Sequence, residues 1–349
     1  MEKINLFGLT LSQLQTLCQE QGFPKFTAKQ MADWLYAKRV LTIDEMTNLS
    51  LKVRSQLNDI AYIGRHFPID CQTSKDGTKK YLFRVTDADE APQHVPHQYV
   101  ESVFIPDGDR GTLCISCQRG CKMGCKFCVT GQQGFHGSLS AGEILNQIFS
   151  IPEFDLLTNI VYMGMGEPMD NYDNVLHSTQ VLTEPWGLAW SPRRLTVSTV
   201  GITPMLRRFI EESECHVAVS LHNPYPSERQ QIMPMEKSYP INGVISMLHD
   251  FDWSGQRRIS FEYTMFKGVN DDLGHAAELV RLLRGLHCRV NLIRFHESDA
   301  VDLHTSARPT MEKFRDYLNN HDITCTIRAS RGEDIMAACG LLAGTADQQ

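Results

Sequence analysis

The 349-residue sequence predicts an α/β chain in which a parallel sheet with crossing helices follows a small helical segment and a short β connector. Three patterns carry that expectation. Beyond Gly111, apolar strand-like runs alternate with helical segments, and repeated βα units build parallel sheets. Before residue 70, helix-start signals recur at close intervals. From Asp76-Gly77 to Pro106 the pattern shifts to period-two alternation. The chain is therefore divided into a helical segment over 1–70, a β connector over 71–106 and a core over 107–345.

In the first segment Thr10 with Gln13, Thr27 with Gln30, and Thr42 with Glu45 each match a capping box, predicting three short helices, with a fourth from Ser50. Leu11, Leu14, Leu17 and Cys18, then Met31, Trp34 and Leu35, recur at helical spacing and are core candidates. Lys25, Lys29, Lys38, Arg39, Lys52 and Arg54 are left for contact with a partner. In the connector, Lys80 to Val85 and Tyr99 to Pro106 read as strands joined by a polar loop. Candidate core strands are 112–116, 159–165, 194–199, 216–221, 258–265, 289–295 and 323–328. Helices are expected from the Ser140/Glu143 cap and over about 173–182, 204–212, 241–250, 273–286 and 310–320. Pattern alone leaves a doubly wound sheet and a barrel open.

The composition, 42% apolar and 21% charged, is that of an ordinary globular chain. No apolar run approaches the about 18 residues a bilayer span needs, and Met1-Glu2-Lys3-Ile4-Asn5 opens no signal peptide, so a cytoplasmic protein is expected. Eleven cysteines in a reducing compartment are not mainly disulfides. Cys18, Cys71, Cys215 and Cys288 are assigned as buried small apolar residues. The net charge of −7 is uneven, with +4 over residues 1–84 and −11 over the remainder. That asymmetry points any nucleic-acid contact to the N-terminal segment.

Cys121, Cys125 and Cys128 form a Cys-x-x-x-Cys-x-x-Cys run, followed by Gly131, Gly134 and Gly137. A structural zinc site asks for a fourth ligand. Three thiolates suit an iron–sulfur cluster with one iron open to a substrate or cofactor. Lys122, Lys126 and Arg119 beside them are expected to lower the thiolate pKa values or to meet phosphate.

With Phe127 before the last cysteine, this run resembles the signature of the radical S-adenosylmethionine (SAM) enzymes. Cys114-Ile115-Ser116, Gly131-Gln132-Gln133-Gly134-Phe135, Met163-Gly164-Met165-Gly166-Glu167-Pro168 and Ala337-Ala338-Cys339-Gly340 narrow the resemblance to the RlmN/Cfr family, over about Leu6 to Gly344. The resemblance implies a partial (β/α)6 barrel, a 4Fe-4S cluster on Cys121, Cys125 and Cys128, and methylation of a ring carbon of adenine in RNA. It also implies SAM contacts from Gly166, Glu167, Ser198, Ser220, Leu221 and His222. After Val290-Asn291-Leu292-Ile293 the family usually continues with Pro, an aromatic or apolar residue, and a SAM-binding Asn. Here Arg294-Phe295-His296 stands instead, and His296 takes the expected contact. Cys117 stands where the family commonly has Ser and is read as a small side chain beside the cluster.

An sp2 adenine carbon has no lone pair with which to attack a sulfonium methyl, so a radical route is needed. The resemblance implies that one SAM methylates Cys339 and a second, cleaved reductively, activates that methyl group for addition to the ring, two per turnover. Cys114 then resolves the adduct through a disulfide with Cys339, and Glu101 is the proposed proton acceptor. The implied partners are 23S rRNA, with tRNA as a second substrate, an external electron donor and a disulfide reductant; a monomer is expected. The alternatives are Cfr-like methylation at adenine C8, a non-catalytic iron–sulfur RNA-binding or sensor protein, and a radical SAM enzyme acting on a small molecule. The pair Cys114 and Cys339 argues against a sensor, and the basic helical segment against a small-molecule substrate.

Overall fold

The computed structural model describes residues 3–85, 98–297 and 301–344; the polar loop expected between Val85 and Gln98 lies outside them. The N-terminal segment holds β1 (Ile4–Asn5), α1 (Leu11–Glu20), α2 (Thr27–Ala32), α3 (Leu51–Ile60) and β2 (Ala61–Tyr62), with β1 and β2 parallel. Thr10 and Gln13 close a full capping box, and Ser50 caps α3. Thr27 differs from expectation. It is the first helical residue of α2, whose cap position is the helical Phe26, and α2 runs on into a π turn at Asp33–Ala37. The Thr42–Glu45 box closes only the single 3-10 turn Ile43–Glu45.

This segment is riveted to the barrel. Arg65 donates to the carbonyls of Arg39 and Phe149, each at 2.6 Å, and Asn146 exchanges two hydrogen bonds with the His66 backbone. The Phe7 ring meets Phe149 edge-on at 5.3 Å, and Tyr36 meets Trp186 at 6.0 Å. Gly8 lies so close to Gly142 that a Cβ would stand 2.3 Å from its nitrogen. One of the six basic candidates serves this packing, Arg39 facing Asp155 at 3.3 Å, while Arg54 holds the Asp44 carbonyl at 2.7 Å within the segment itself. Lys25, Lys29 and Lys52 are exposed, while Lys38 pairs with Asp33 at 2.9 Å.

Strands β3 (Asp70–Thr73), β4 (Lys79–Arg84) and β5 (Tyr99–Asp107) form an antiparallel meander that continues directly into the main sheet, because β5 pairs with β6 (Arg110–Cys114). Cys71 on β3 is exposed, not the buried apolar residue expected. After β6 come the short antiparallel strands β7 (Gln118–Gly120) and β8 (Phe135–Ser138), which bracket the cysteine loop and the helical turn α4 (Val129–Gln132). The βα units follow: α5 (Ala141–Phe149), β9 (Asn159–Tyr162), α6 (Tyr172–Thr183), β10 (Leu195–Thr199), α7 (Thr203–Glu212) and β11 (His216–Ser220). Next are α8 (Pro226–Ile232), α9 (Ile241–Leu248), β12 (Ile259–Met265), α10 (Leu273–Leu282), β13 (Cys288–Arg294), α11 (Arg308–Asn319) and β14 (Thr324–Ile327).

All seven expected core strands are present and pair in parallel in the order β14-β13-β12-β11-β10-β9-β6. Each crossover adds its strand on the same side, so the sheet curls into a barrel. The hydrogen-bonded order runs from β14 to β3 without joining its ends, which leaves the barrel open. Leu113, Ile160, Val197, Val219, Phe261, Val290 and Leu292 fill its buried strands. Parallel pairing sends every strand's carboxyl end to one rim, where functional groups of such barrels gather.

Candidate active site at the carboxyl ends of the strands

The cysteine loop leaves β7 through Gly120, at φ +71°, where a Cβ would lie 1.9 Å from the Gly134 carbonyl oxygen. The loop is held at both ends. Cys121 N–H donates to Gly134 O at 2.8 Å, and Lys126 N–H donates to Ile232 O at 3.0 Å at the end of α8. Phe127 packs edge-on against His222 at 4.8 Å and, tilted, against Phe266 at 5.4 Å. Cys121, Cys125 and Cys128 open together on a cavity of about 160 Å3. Burial pushes all three thiols up, and each also feels the charge of a neighbouring cysteine: Cys121 reaches about 12, and Cys125 is raised well above the ordinary thiol range by burial, then by Cys128 and Cys121. Burial therefore outweighs the nearby cations, contrary to expectation. Lys122 is held by Asp170 at 2.9 Å and lies over the Phe135 ring.

The same cavity is walled by strand ends: Gly166 and Glu167 after β9, Ser198 on β10, and Ser220 and His222 at the end of β11. Gly166 has φ +102°, and a Cβ there would stand 2.6 Å from Gln118 Cβ. Glu167 is buried. Its carboxylate accepts the N–H of Met169 at 3.0 Å and of Val200 at 2.9 Å, and burial pushes its pKa up to about 7. His222 sits at φ +56° with Nδ1 accepting Thr264 N–H at 2.9 Å; burial, then Arg229, pushes it down to about 3, so it is neutral. Leu221 is fully buried and off this wall. Its carbonyl accepts Arg229 Nε at 2.9 Å, so its part is to shape the strand end. Cys117 is buried and packs behind the loop, its carbonyl accepting Asn171 Nδ2 at 2.8 Å.

A second cavity, about 390 Å3, adjoins the first. Cys339, Cys128, Met163, Gly164, Ile293, Arg328 and Gly340 line both, so Cys339 stands on the wall between them. Cys114 lines only the larger one. Burial, then the charge of Cys339, pushes the Cys114 thiol up to about 12, while Arg328 pulls it down. The segment carrying Cys339 is tied at several points. Val129 N–H donates to Gly340 O at 2.8 Å, Thr130 Oγ1 to Leu342 O at 2.7 Å, and Ser74 Oγ to Asp334 at 2.5 Å. Gly332 N–H donates to Asp76 at 3.1 Å.

Two expected residues are not brought to the expected place. Glu101 is buried on β5 and lines neither cavity. One carboxylate oxygen meets Lys80 Nζ at 3.1 Å and the other accepts the N–H groups of Ala343 and Gly344 at 2.7 and 3.0 Å. These contacts tie the segment that follows Cys339 to β5. His296 lines the larger cavity and not the one shared by the cysteines and strand ends. The reason is local: Phe295, whose ring packs on Phe266 at 5.0 Å, turns inward at that position and sends the next side chain outward.

Three residues escaped the sequence reading. Glu262 on β12 lines the smaller cavity, and its Oε2 has no hydrogen-bond donor among the described residues although Arg328 Nη1 is 3.6 Å away. Arg328 follows β14. Arg229 on α8 is fully buried, paired with Glu236 and donating to the carbonyls of Leu221, Ser220 and Val200. A charged residue inside an otherwise apolar strand was the available signal for Glu262. Arg229 lay in a polar run with no such mark.

Comparison with known proteins bears on what this rim does. Residues 4–63 match the ribosomal RNA large subunit methyltransferase N-terminal domain, and residues 115–280 match the radical SAM superfamily. A probable dual-specificity RNA methyltransferase RlmN of Bacteroides fragilis is 55% identical over 349 residues, covering 100% of this chain and 98% of its own. The chain belongs to the RlmN family of radical SAM RNA methyltransferases. A dual-specificity RNA methyltransferase RlmN of Syntrophus aciditrophicus is 40% identical over 350 residues, 99% of this chain and 98% of that one. A radical SAM methyltransferase from Sphaerobacter thermophilus superposes with a TM-score of 0.88 at 36% identity, covering 98% of this chain and 100% of that one.

Membership of the RlmN family implies a 4Fe-4S cluster and SAM. The donor set fits them. Among the described residues no three ligand side chains converge as a single metal ion would require, whereas three thiols face one cavity, as a larger cluster needs. The strand ends beside them offer a Glu262 oxygen without a hydrogen-bond donor among the described residues, and two serine hydroxyls, to a polar cofactor. No helix among the described residues is long and apolar enough to cross a membrane.

Proposed function

We propose that this enzyme adds a methyl group to C2 of adenine, in the peptidyl-transferase region of 23S rRNA and at the adenosine 3′ of the tRNA anticodon. The observation that supports it most directly is Cys339 on the wall between two cavities, with Cys114 lining the larger one. Cys121, Cys125 and Cys128 would hold the cluster, and Gly166, Glu167, Ser198, Ser220 and His222 the SAM molecule, at the smaller cavity. Bound there, cluster and SAM supply a methyl group and a primary carbon radical.

The protein's own part follows from its thiols. Cys339 accepts the methyl group as a thiolate nucleophile and holds it between the cavities, facing the cofactor on one side and the base on the other. The target adenosine, extruded from its RNA, occupies the larger cavity, whose volume lies in the range of about 300–1,000 Å3 typical of ligand pockets. After the carbon–carbon bond forms, the adduct gives up its unpaired electron, back to the bound cluster, and its ring proton, which Cys114 removes. Cys114, deprotonated again, then attacks the Cys339 sulfur of the closed-shell thioether. The sulfur–carbon bond breaks, its electron pair goes to the new carbon, and protonation leaves a methyl group. The Cys114–Cys339 disulfide is then reduced from outside. Arg328, whose charge both thiols feel, favours their thiolate forms. We assign two SAM molecules per turnover, a monomer and the cytoplasm to this cycle, and Glu101 to positioning in place of proton transfer.

The test is nucleoside mass spectrometry of 23S rRNA and tRNA from cells with and without the gene. Loss of 2-methyladenosine from both supports the proposal; loss of 8-methyladenosine instead would identify a Cfr-like enzyme.

A further inference from the structure

The mouth of the larger cavity is cationic, although residues 85–349 carry a net −11. Arg110, Arg294, Arg328 and Arg331 all line it. Arg328 stands against Glu262 and Met163. Of the other three, Arg110 and Arg294 are exposed and Arg331 is partly exposed, and their partners differ. Among the described residues, Arg110 Nε donates to the neutral Asn159 side chain at 3.1 Å. Arg294 Nη1 is 3.1 and 3.3 Å from the two carboxylate oxygens of Glu333, and Arg331 Nη2 is 3.1 Å from Asp107. These pairs are open to solvent, with Arg294 and Glu333 exposed to 49% and 44%. His296 stands 3.9 Å from the same Glu333.

The geometry points to a phosphate-receiving rim: Arg294 and Arg331, with Arg110 beside them, bind the phosphodiester groups flanking the extruded adenosine, exchanging Glu333 and Asp107 for RNA. This deepens the proposal above, resting on its assignment of the larger cavity to the target nucleotide. Chemistry favours the exchange. An exposed ion pair contributes little and is screened by salt. A phosphodiester offers the same fork-shaped partner to a guanidinium, carries its charge permanently, and brings further contacts once its base is seated. A nucleotide whose base reaches Cys339, on the wall shared with the smaller cavity, must leave its backbone outside, where the exposed Arg110 and Arg294 stand. Arg294 and His296, which depart from the family's usual residues at the end of β13, thereby acquire a role: they face the RNA cavity, not SAM. In the empty site the carboxylates hold the arginines in place and compete with other anions.

The competition makes the proposal testable by sign. Binding of a synthetic anticodon stem–loop is measured across a salt series for the full-length cluster-loaded protein and its Arg294→Gln, Arg331→Gln and Glu333→Gln variants. The arginine variants should bind roughly tenfold more weakly and flatten the log–log salt slope by about 0.7 to 0.9 each. Glu333→Gln should bind more tightly at low salt. If Arg294 and Glu333 merely brace the Cys339 segment, both variants weaken binding together; that result, or no change in either, overturns the rim. Adduct formation through Cys339 in a Cys114→Ala background separates the two levels. If no adduct forms with the rim intact, the cavity assignment fails and the rim with it. If it forms while Arg294→Gln and Arg331→Gln bind as the parent does, only the rim fails.

Discussion

Cys114 and Cys339, on the first core strand and on the segment after the last, line one cavity, and the charge of Cys339 helps to push the Cys114 thiol up to about 12. Two thiols that disfavour each other's ionisation will not be thiolates at once, which suits a reaction in which one is alkylated before the other reacts. Cys339→Ala should abolish RNA methylation while four irons and four sulfides remain bound. Cys114→Ala should accumulate protein joined to RNA through Cys339, resistant to denaturant and trimmed by nuclease. Release of product from the wild-type adduct should quicken about tenfold per pH unit above neutrality, because the thiolate fraction of a group with raised pKa grows that way. A Cys114→Ala enzyme that turns over normally, free of RNA, would show that cysteine to be packing only.

Cluster binding should depend on all three loop cysteines together. Cys125→Ala should lose iron, the visible absorption of the cluster and methylation, because two thiols cannot hold what three surround. Full activity with zinc alone would refute the assignment.

Glu101 separates two roles cleanly. As a proton acceptor its loss would trap the RNA adduct, as loss of Cys114 does. As a clamp on Ala343 and Gly344 its loss should slow methylation of Cys339 itself without trapping RNA. We expect the second outcome for Glu101→Gln, with a stability cost of about 1–3 kcal/mol from leaving the half-buried Lys80 without its charged partner. Mass spectrometry of the protein, reading methyl-Cys339 against RNA adduct, distinguishes them.

The contrast between Glu101 and the cysteines shows what the sequence made legible. Strands and helices of the core were readable because period and capping are local, and the cluster because its three thiols sit close together on one loop. Glu101 and His296 were placed by resemblance to the family, which does not tell which way a side chain turns when a neighbour such as Phe295 claims the interior. The cationic mouth was hidden for a different reason. Charge counted along the chain pointed to the first 84 residues, whereas Arg110, Arg294 and Arg331 come from distant strand ends and meet only in the fold.

The basic N-terminal segment still carries exposed Lys25, Lys29 and Lys52. Deleting it would strip Phe7 and Tyr36 from α5 and unbalance the barrel, so charge reversal is the better test. Lys25→Glu with Lys29→Glu and Lys52→Glu should weaken binding of structured RNA and reduce its salt slope by about 0.7 to 0.9 for each lysine that meets a phosphate. Unchanged binding and slope would assign the segment to packing.

The buried pair Arg229–Glu236 links the two halves of the site. Arg229 gathers the carbonyls of Val200, Ser220 and Leu221, the ends of the strands that wall the smaller cavity, while the helix it belongs to ends at Ile232, whose carbonyl holds the cysteine loop through Lys126 N–H. Its charge also reaches Cys125 and His222. Removing one partner leaves a buried charge uncompensated, at about 3–5 kcal/mol. Glu236→Gln should therefore lower the melting temperature. Arg229→Met with Glu236→Leu, which removes both charges, should recover much of that stability, since isosteric apolar replacement of a buried pair is often neutral. The recovered double variant should bind SAM more weakly, because three carbonyls lose their donor and the strand ends are released. SAM affinity by calorimetry, compared at matched stability, decides between a pair that only supports the fold and one that sets the spacing between cysteine loop and strand ends.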